Sequence, residues 1–267
     1  MKFALVDGQK VEASKGAKGS CIFCQSPVIA KCGEIKINHW AHLKISSCDS
    51  WKEKETEWHR LWKNAFPVEW QEIIQYDDIT NEKHIADIRT EQCGVIEFQH
   101  SQIDPVERRK REEFYKDLVW VVDGTRLKKD YPRFLSSLRS FEKVRGNTFK
   151  IDTKIECFPQ TWMESSVPVV FDFLNHQSIT GNDWRIPLYC LLPVKLGNFA
   201  IVQFISQQSF INAIKDGTWA NWVKTLIAGI NQVNKEFQTL QSAKSQVING
   251  YRPIQNFYRY PRKTRRW

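Results

Sequence analysis

The stretch His84-Ile-Ala-Asp-Ile-Arg-Thr-Glu-Gln-Cys-Gly-Val-Ile-Glu-Phe-Gln-His-Ser101 predicts two short apolar strands joined by a turn. Gly94 closes the turn, where a residue without Cβ can adopt positive φ. Asp87 and Glu97 stand inside this apolar hairpin, where an unpaired carboxylate is costly. Two carboxylates on adjacent strands can share a hard cation such as Mg²⁺, which prefers oxygen ligands. The hairpin therefore predicts a divalent-metal site.

Gln99 extends this pattern, because side chains two positions apart on a strand point to the same face. An aspartate on one strand followed by Glu-x-Gln on the next can be interpreted as a phosphodiesterase site. We therefore expect Gln99 to lie beside Glu97 and to take part in the reaction.

A helix is predicted over residues 50–66, capped by Asp49 or Ser50 and ended by Pro67. Within it Glu55, His59 and Lys63 follow i, i+4, i+8 spacing, which places them along one face. Glu55 would add a third carboxylate, and His59 or Lys63 would meet a phosphate or a leaving group. A surface helix with ordinary ion pairs is the alternative. Glu57 competes for the acidic role but is offset from that face.

A Cys/His cluster precedes the helix. Cys21-x₂-Cys24 and His39-x₂-His42 supply four ligands at the spacing of a tetrahedral zinc site. Cys32 and Cys48 are possible substitutes for one histidine, and unrelated side chains on a loop are the alternative. Because four protein ligands leave no position for water, we expect a structural Zn²⁺.

The composition narrows the class of protein. The chain has 267 residues, 39 Lys and Arg against 30 Asp and Glu, and a formal net charge of +9. This balance favours a polyanionic partner such as nucleic acid. No apolar run approaches the ~20 residues of a membrane span, and Asp7 comes too early for a signal peptide. We expect a cytoplasmic protein without a membrane partner, whose seven cysteines are free or bind metal.

The order of elements from residue 50 is helix, strand, strand, strand, helix, strand. It gives an α/β (α+β) fold with an αβββαβ core, an N-terminal zinc-finger-like insertion and a mixed C-terminal domain. The predicted units are a hairpin and Cys/His module over 1–49, a core over 50–125, a basic linker over 126–150, a C-terminal α/β domain over 151–245 and a basic aromatic tail over 246–267.

Together these motifs resemble the competence protein CoiA-like family, within the PD-(D/E)xK, or restriction-endonuclease-like, nuclease superfamily. The resemblance covers roughly residues 18–125 and rests on motifs in the expected order: Cys21-x₂-Cys24, His39-Trp-Ala-His42, Glu55-Thr-Glu-Trp-His59 with Lys63, Ala86-Asp87, Ile96-Glu97-Phe-Gln99-x-Ser101 and Val119 to Asp123. It implies that Asp87, Glu97 and Glu55 hold catalytic Mg²⁺ or Mn²⁺. Gln99 departs from the pattern, since many members of the superfamily have lysine there.

The resulting hypothesis is a deoxyribonuclease, acting as an endonuclease on DNA in preference to RNA, in DNA uptake, processing or defence against foreign DNA in a prokaryote. The alternative is a degenerate member that binds nucleic acid without cutting. The C-terminal half is a candidate surface for a homodimer or a partner protein. The basic residues expected to contact phosphates are Arg108, Arg109, Arg111, Arg262, Lys263, Arg265 and Arg266.

Overall fold

The computed structural model describes residues 1–44, 48–51, 53–77, 79–90, 92, 94–173 and 187–250, with the side chains of 237 and 240–250 excluded. In this part of the chain the strands form two sheets, one of five strands and one of nine. The mixed α/β class expected from the sequence is confirmed. None of the described helices is long and apolar enough to cross a membrane.

The five-stranded sheet is the N-terminal module. Its strands are β1 (Phe3–Val6), β2 (Gln9–Glu12), β3 (Lys18–Ser20), β4 (Pro27–Lys31) and β5 (His39–His42), in the order β2-β1-β3-β4-β5. The hairpin predicted within residues 1–49 is confirmed: β1 and β2 pair across a turn at Asp7-Gly8, with φ of 51° and 77°. Val28 and Trp40 of the Cys/His segment are buried in a small core of their own. The module packs against the larger sheet, where the Lys2 ammonium donates to Gln71 Oε1 at 2.8 Å.

The nine-stranded sheet contains the hairpin quoted above. Its order is β10-β11-β14-β13-β12-β9-β8-β7-β6. The strands are β6 (Gln71–Tyr76), β7 (Lys83–Thr90), β8 (Gly94–Gln99), β9 (Leu118–Asp123), β10 (Glu142–Arg145), β11 (Thr148–Asp152), β12 (Val169–Asp172), β13 (Pro187–Leu196) and β14 (Phe199–Ser206). β8, β9 and β12 run parallel to one another, and the other pairs are antiparallel.

Helices cover both faces of this sheet, so its central strands are buried on both sides. The described α-helices are α1 (Glu57–Asn64), α2 (Pro105–Tyr115), α3 (Asp130–Ser137), α4 (Gln160–Met163), α5 (Gln207–Lys215) and α6 (Trp219–Gly250). One apolar layer contains residues of α1, α5 and α6, among them Trp58, Phe210 and Trp219. The other contains residues of α2, α3 and α4, among them Phe134 and Trp162.

The order α1-β6-β7-β8-α2-β9 agrees with the predicted helix-strand-strand-strand-helix-strand succession. The first helix is shorter than the predicted 50–66, because Thr56 caps it by accepting from the His59 amide. The cap predicted at Asp49 or Ser50 is therefore wrong. The segment predicted as a basic linker, 126–150, holds α3, β10 and part of β11. Strands from 142–206 continue the same sheet as β6 to β9 through the parallel β9–β12 pair.

Candidate functional site

The two hairpin carboxylates lie where β7 and β8 separate. The backbone pairs Thr90↔Gly94, Arg89↔Val95 and Ile88↔Ile96 end immediately before Asp87 and Glu97. Beyond that point, hydrogen bonds between backbone amides and carboxylates take the place of the backbone pairing between the two strands. The Asp87 amide donates to Glu97 Oε1 at 3.2 Å, and the Phe98 amide donates to Asp87 Oδ2 at 3.0 Å. Each carboxylate therefore binds the backbone of the opposite strand, which fixes the pair in the split.

The split opens into an acidic pocket of about 40 Å³. Among the described residues, six carboxylates line it: Asp49, Glu53, Glu55, Glu72, Asp87 and Glu97. Its permanently cationic side chains are Lys63 and Arg111. Negative charge therefore exceeds positive charge when the carboxyl groups are ionised. We call this space the acidic pocket below.

Lys63 lies among three of these carboxylates. Its Nζ is 2.9 Å from Asp87 Oδ1, 3.3 Å from Glu55 Oε2 and 3.1 Å from Glu72 Oε1, and the side chain is only 4% exposed. Burial opposes its charge, but the attraction of Asp87, Glu55 and Glu72 is stronger and raises the pKa of Lys63 well above its usual value. The ammonium consequently stays charged and fully engaged, without a free donor directed to a phosphate.

The buried carboxyl of Glu97 lies near both an anion, Asp87, and a cation, Arg111. Burial, reinforced by Asp87, raises its pKa to about 8 although the Arg111 guanidinium opposes the shift. Arg111 Nη1 lies 3.2 Å from Glu97 Oε2. The carboxyl of Glu97 therefore gives up its proton less readily than an ordinary glutamate, and an additional cation in the acidic pocket would favour its ionised form.

Glu53, which no sequence pattern indicated, connects four residues: His59 of α1 and Gln99, His100 and Ser101 at the end of β8. Its Oε2 lies 3.1 Å from His59 Nε2 and accepts from the His100 amide at 3.1 Å. Its Oε1 accepts from Gln99 Nε2 and from the Ser101 amide. Burial opposes ionisation, but the hydrogen bonds from His59 and Ser101 lower the pKa of Glu53 to about 2. Glu53 is thus a fixed anion that positions its neighbours.

Gln99 and His59 occupy positions that differ from the sequence expectation. Gln99 does not line the acidic pocket but binds Glu53 at its wall. His59 lines the pocket, yet Nδ1 lies 2.8 Å from Thr56 Oγ1, and Nε2 lies 3.0 Å from the Phe98 carbonyl oxygen as well as near Glu53. Because both ring nitrogens have partners, His59 has no free nitrogen for a leaving group. Its contacts hold α1 against β8.

The remaining acids reach the acidic pocket through the tertiary fold. Glu55 precedes α1 instead of lying on it, but its carboxylate still contacts Lys63. Glu57 is exposed and does not line the pocket. Glu72, the second residue of β6, has a φ of 48°, and its carboxylate accepts from the Lys2 and Phe3 amides at 2.8 and 3.1 Å. Positive φ in a strand is sparsely populated, and no local pattern signals it.

The arginines of α2 divide into buried and exposed residues. Arg108 is 1% exposed and pairs with Glu112 at 2.5 Å. Arg111 is 3% exposed and bonded to Glu97, Glu107 and the Trp51 carbonyl. Their burial corrects the expectation that these two lie on a phosphate-binding surface. Arg109 is exposed and remains a candidate. The other four basic candidates, Arg262, Lys263, Arg265 and Arg266, lie outside the described residues.

The structure changes one ligand of the predicted zinc site. Within the described residues, Cys21, Cys24, His42 and Cys48 present ligand atoms that all lie within 4.8 Å of one another. Cys48, weighed as a substitute from the sequence, takes the place predicted for His39, whose Nδ1 lies 2.9 Å from the Ile37 carbonyl oxygen. The β4–β5 pairing explains this, since His39 opposes Lys31 at the far end of the strand pair from His42 and Val28.

The spacing of these ligand atoms suits zinc. Zn–S bonds of about 2.3 Å in a tetrahedron place two sulfurs about 3.8 Å apart. The Cys21 and Cys48 sulfurs are 3.7 Å apart, and Cys24 Sγ lies 3.2 Å from His42 Nε2. The Phe23 amide also donates to Cys21 Sγ at 3.4 Å. The group could therefore hold a structural zinc ion, with all four positions supplied by protein.

A family model described as the N-terminal domain of competence protein CoiA matches residues 6–50. The match covers the five-stranded module from the end of β1 onward and includes all four candidate zinc ligands. It supports the resemblance to the CoiA-like family, and the wider PD-(D/E)xK assignment stays a prediction. No curated protein and no solved structure shows a significant match.

Proposed function

We propose that the protein is a metal-dependent nuclease that hydrolyses phosphodiester bonds of DNA. The observation that carries this proposal is the split between β7 and β8, where Asp87 and Glu97 bind each other's strands at the wall of an acidic pocket. The name of the matching family, a competence protein, favours DNA uptake or processing as the setting. The excess of Lys and Arg over the whole chain is consistent with a nucleic-acid partner.

The residues present fit a divalent cation. Asp87, Glu97 and Glu55 would hold it, since each hydrogen-bonded carboxylate oxygen keeps a second lone pair. A pocket of about 40 Å³ admits an ion or a few waters. The donor oxygens are spread more widely than the zinc ligands, because the Lys63 ammonium lies between Glu55 and Asp87. Binding would require these side chains to close around the ion.

When bound, Mg²⁺ or Mn²⁺ supplies Lewis-acid polarisation of a phosphoryl oxygen and lowers the pKa of a coordinated water. The chain supplies the positioning. Gln99 Nε2 is fixed by Glu53 and the Ser101 carbonyl, whereas Gln99 Oε1 is buried and has no partner among the described residues. Because Gln99 binds Glu53 at the wall of the acidic pocket and does not line it, this oxygen would reach the attacking water only when the side chains close around the ion, and it would then accept a hydrogen bond from that water. Lys63 pairs with Asp87 and Arg111 pairs with Glu97. These two cations reduce the repulsion that the carboxylates exert on each other and on an approaching anionic substrate.

The test uses the full chain with closed-circular, linear and single-stranded DNA in Mg²⁺, Mn²⁺ or EDTA. We expect cleavage with either metal and none in EDTA. Asp87→Asn should abolish cleavage, whereas the matched control Asp216→Asn, at an exposed helix end, should cleave normally. Nicking of closed circles would establish endonuclease action. Undiminished cleavage by Asp87→Asn would reject this site.

A second candidate is a nucleic-acid-binding protein that has lost cleavage. It is favoured by one observation, namely that both central carboxylates already pair with protein cations, Asp87 with Lys63 and Glu97 with Arg111. In that case the chain would bind DNA equally well in Mg²⁺ and EDTA, and none of the metals would produce cleavage. The same experiment therefore separates the two candidates.

A further inference from the structure

A second pocket is linked to the acidic pocket through the hydrogen bonds of Glu53. It has a volume of about 120 Å³ and is lined by His100, Ser101, Asp123 and Arg126, with apolar walls that include Phe171. Glu53 joins the two spaces, because it lines the acidic pocket and its carboxylate binds the backbone of His100 and Ser101. A substrate in the acidic pocket would therefore have this second pocket on its Glu53 side.

His100 differs from the buried His59 in having a free ring nitrogen. Its Nδ1 lies 2.8 Å from Asp123 Oδ2, and its Nε2 has no partner among the residues that the structure describes. The side chain is 33% exposed. The centroids of the His59 and His100 rings are 6.0 Å apart, so His100 lies next to a residue that lines the acidic pocket.

Asp123 fixes the orientation of the His100 imidazole. Its side chain is 0% exposed, and its other oxygen accepts from the Thr125 amide at 2.9 Å and the Thr125 hydroxyl at 2.7 Å. Burial opposes ionisation, but the hydrogen bonds from His100 and Thr125 lower the pKa of Asp123. A fixed carboxylate on Nδ1 holds the ring with that nitrogen protonated and leaves Nε2 for proton transfer. The parallel pairing of β8 and β9 brings the two residues together at the carboxyl ends of these strands.

We propose that His100 is a catalytic residue that protonates the leaving oxygen of the phosphodiester, with Asp123 as its positioning residue. This inference rests on the proposed nuclease function. Water attacks phosphorus and forms the new P–O bond while the bond to the nucleoside oxygen breaks. The electron pair of the broken bond goes to that oxygen, which takes the Nε2 proton of the His100 imidazolium and leaves the ring neutral, with its remaining proton on Nδ1. The attacking water releases its own proton to solvent, and His100 regains one from solvent.

The test compares an ordinary DNA oligonucleotide with one whose bridging oxygen at the cleaved linkage is replaced by sulfur. A thiolate leaves without protonation because its conjugate acid is far stronger than an alcohol. We use His100→Asn, whose amide can still donate to Asp123 but has no counterpart of Nε2. Loss of a general acid lowers the rate by about 10²–10⁴-fold. We expect a loss of that size on the oxygen substrate and near-wild-type cleavage of the sulfur substrate.

Asp123→Asn should show the same selectivity with a smaller loss, because the ring remains but its orientation is no longer fixed. Asp87→Asn serves as the contrasting variant and should lose cleavage of both substrates. If His100→Asn cleaves the oxygen substrate at the wild-type rate, or loses both substrates equally while its thermal midpoint is unchanged, the inference is overturned and the nuclease proposal stands. If the wild-type protein cleaves neither substrate in any metal, the nuclease proposal itself fails.

Discussion

Replacing Lys63 by methionine tests whether its ammonium neutralises the acidic pocket. Methionine keeps the length and apolar body of the side chain but leaves Asp87, Glu55 and Glu72 without their shared partner. Removing one partner of a buried ion pair costs about 3–5 kcal/mol. Because 1 kcal/mol shifts the midpoint of a chain of this size by about 2–4 °C, we expect thermal unfolding about 6–20 °C below wild type in EDTA.

Divalent metal should reverse part of this loss. Without the ammonium, the three carboxylates can close around an ion, and a ligand at a hundredfold excess over its Kd stabilises the native state by about 2.7 kcal/mol. The assay is thermal unfolding followed by circular dichroism in EDTA, Mg²⁺ and Mn²⁺. Lys110→Met, at an exposed position of α2, is the matched control and should unfold like wild type. Lys63→Arg keeps the charge and should lose less stability than Lys63→Met.

Two results would refute this reasoning. If Lys63→Met unfolds at the wild-type temperature in EDTA, the ammonium does not compensate the carboxylates. If Lys63→Met is destabilised but gains no stability from Mg²⁺ or Mn²⁺, the carboxylates of the acidic pocket do not bind these ions once the ammonium is removed.

Three further outcomes are expected. Cys48→Ala should lose bound zinc, measured by elemental analysis of protein purified without chelator, whereas His39→Ala should keep about one zinc per chain. Gly94→Ala should destabilise by more than about 2 kcal/mol in urea unfolding, because left-handed backbone costs about 1–2 kcal/mol and the new Cβ would lie 2.1 Å from the Asp117 carbonyl oxygen at a φ of 82°. The raised pKa of Glu97, about 8 in the native state against an ordinary 4.5, means that the native protein binds the extra proton between these values. Wild-type stability relative to Glu97→Gln should therefore fall as the pH rises from 5 to 9, and a constant difference would contradict the shift.

Local patterns in the sequence determined the elements around the site. Alternating apolar residues defined β7 and β8, and Gly94 marked the turn between them. Asp104 and Pro105 are residue types that favour a helix start, and α2 begins there, with the Asp104 side chain accepting from the Val106 and Glu107 amides. Such signals succeed because pleat, cap and turn geometry depend on residues that are neighbours in the chain. The order of these elements, and the presence of Asp87 and Glu97 within one hairpin, followed from them.

Only the tertiary structure decided which side chains share the acidic pocket and which of them keep a hydrogen-bonding atom available for a substrate. Glu53 and Glu72 join it through packing between segments far apart in sequence, and no periodicity connects them with Asp87. Equally, helical spacing placed His59 toward the site but could not show that both its nitrogens are bonded, while His100 keeps one free. Hydrogen-bond capacity is allocated by contacts across the whole fold, so the sequence alone identified the chemistry of the site and the fold selected the groups that can perform it.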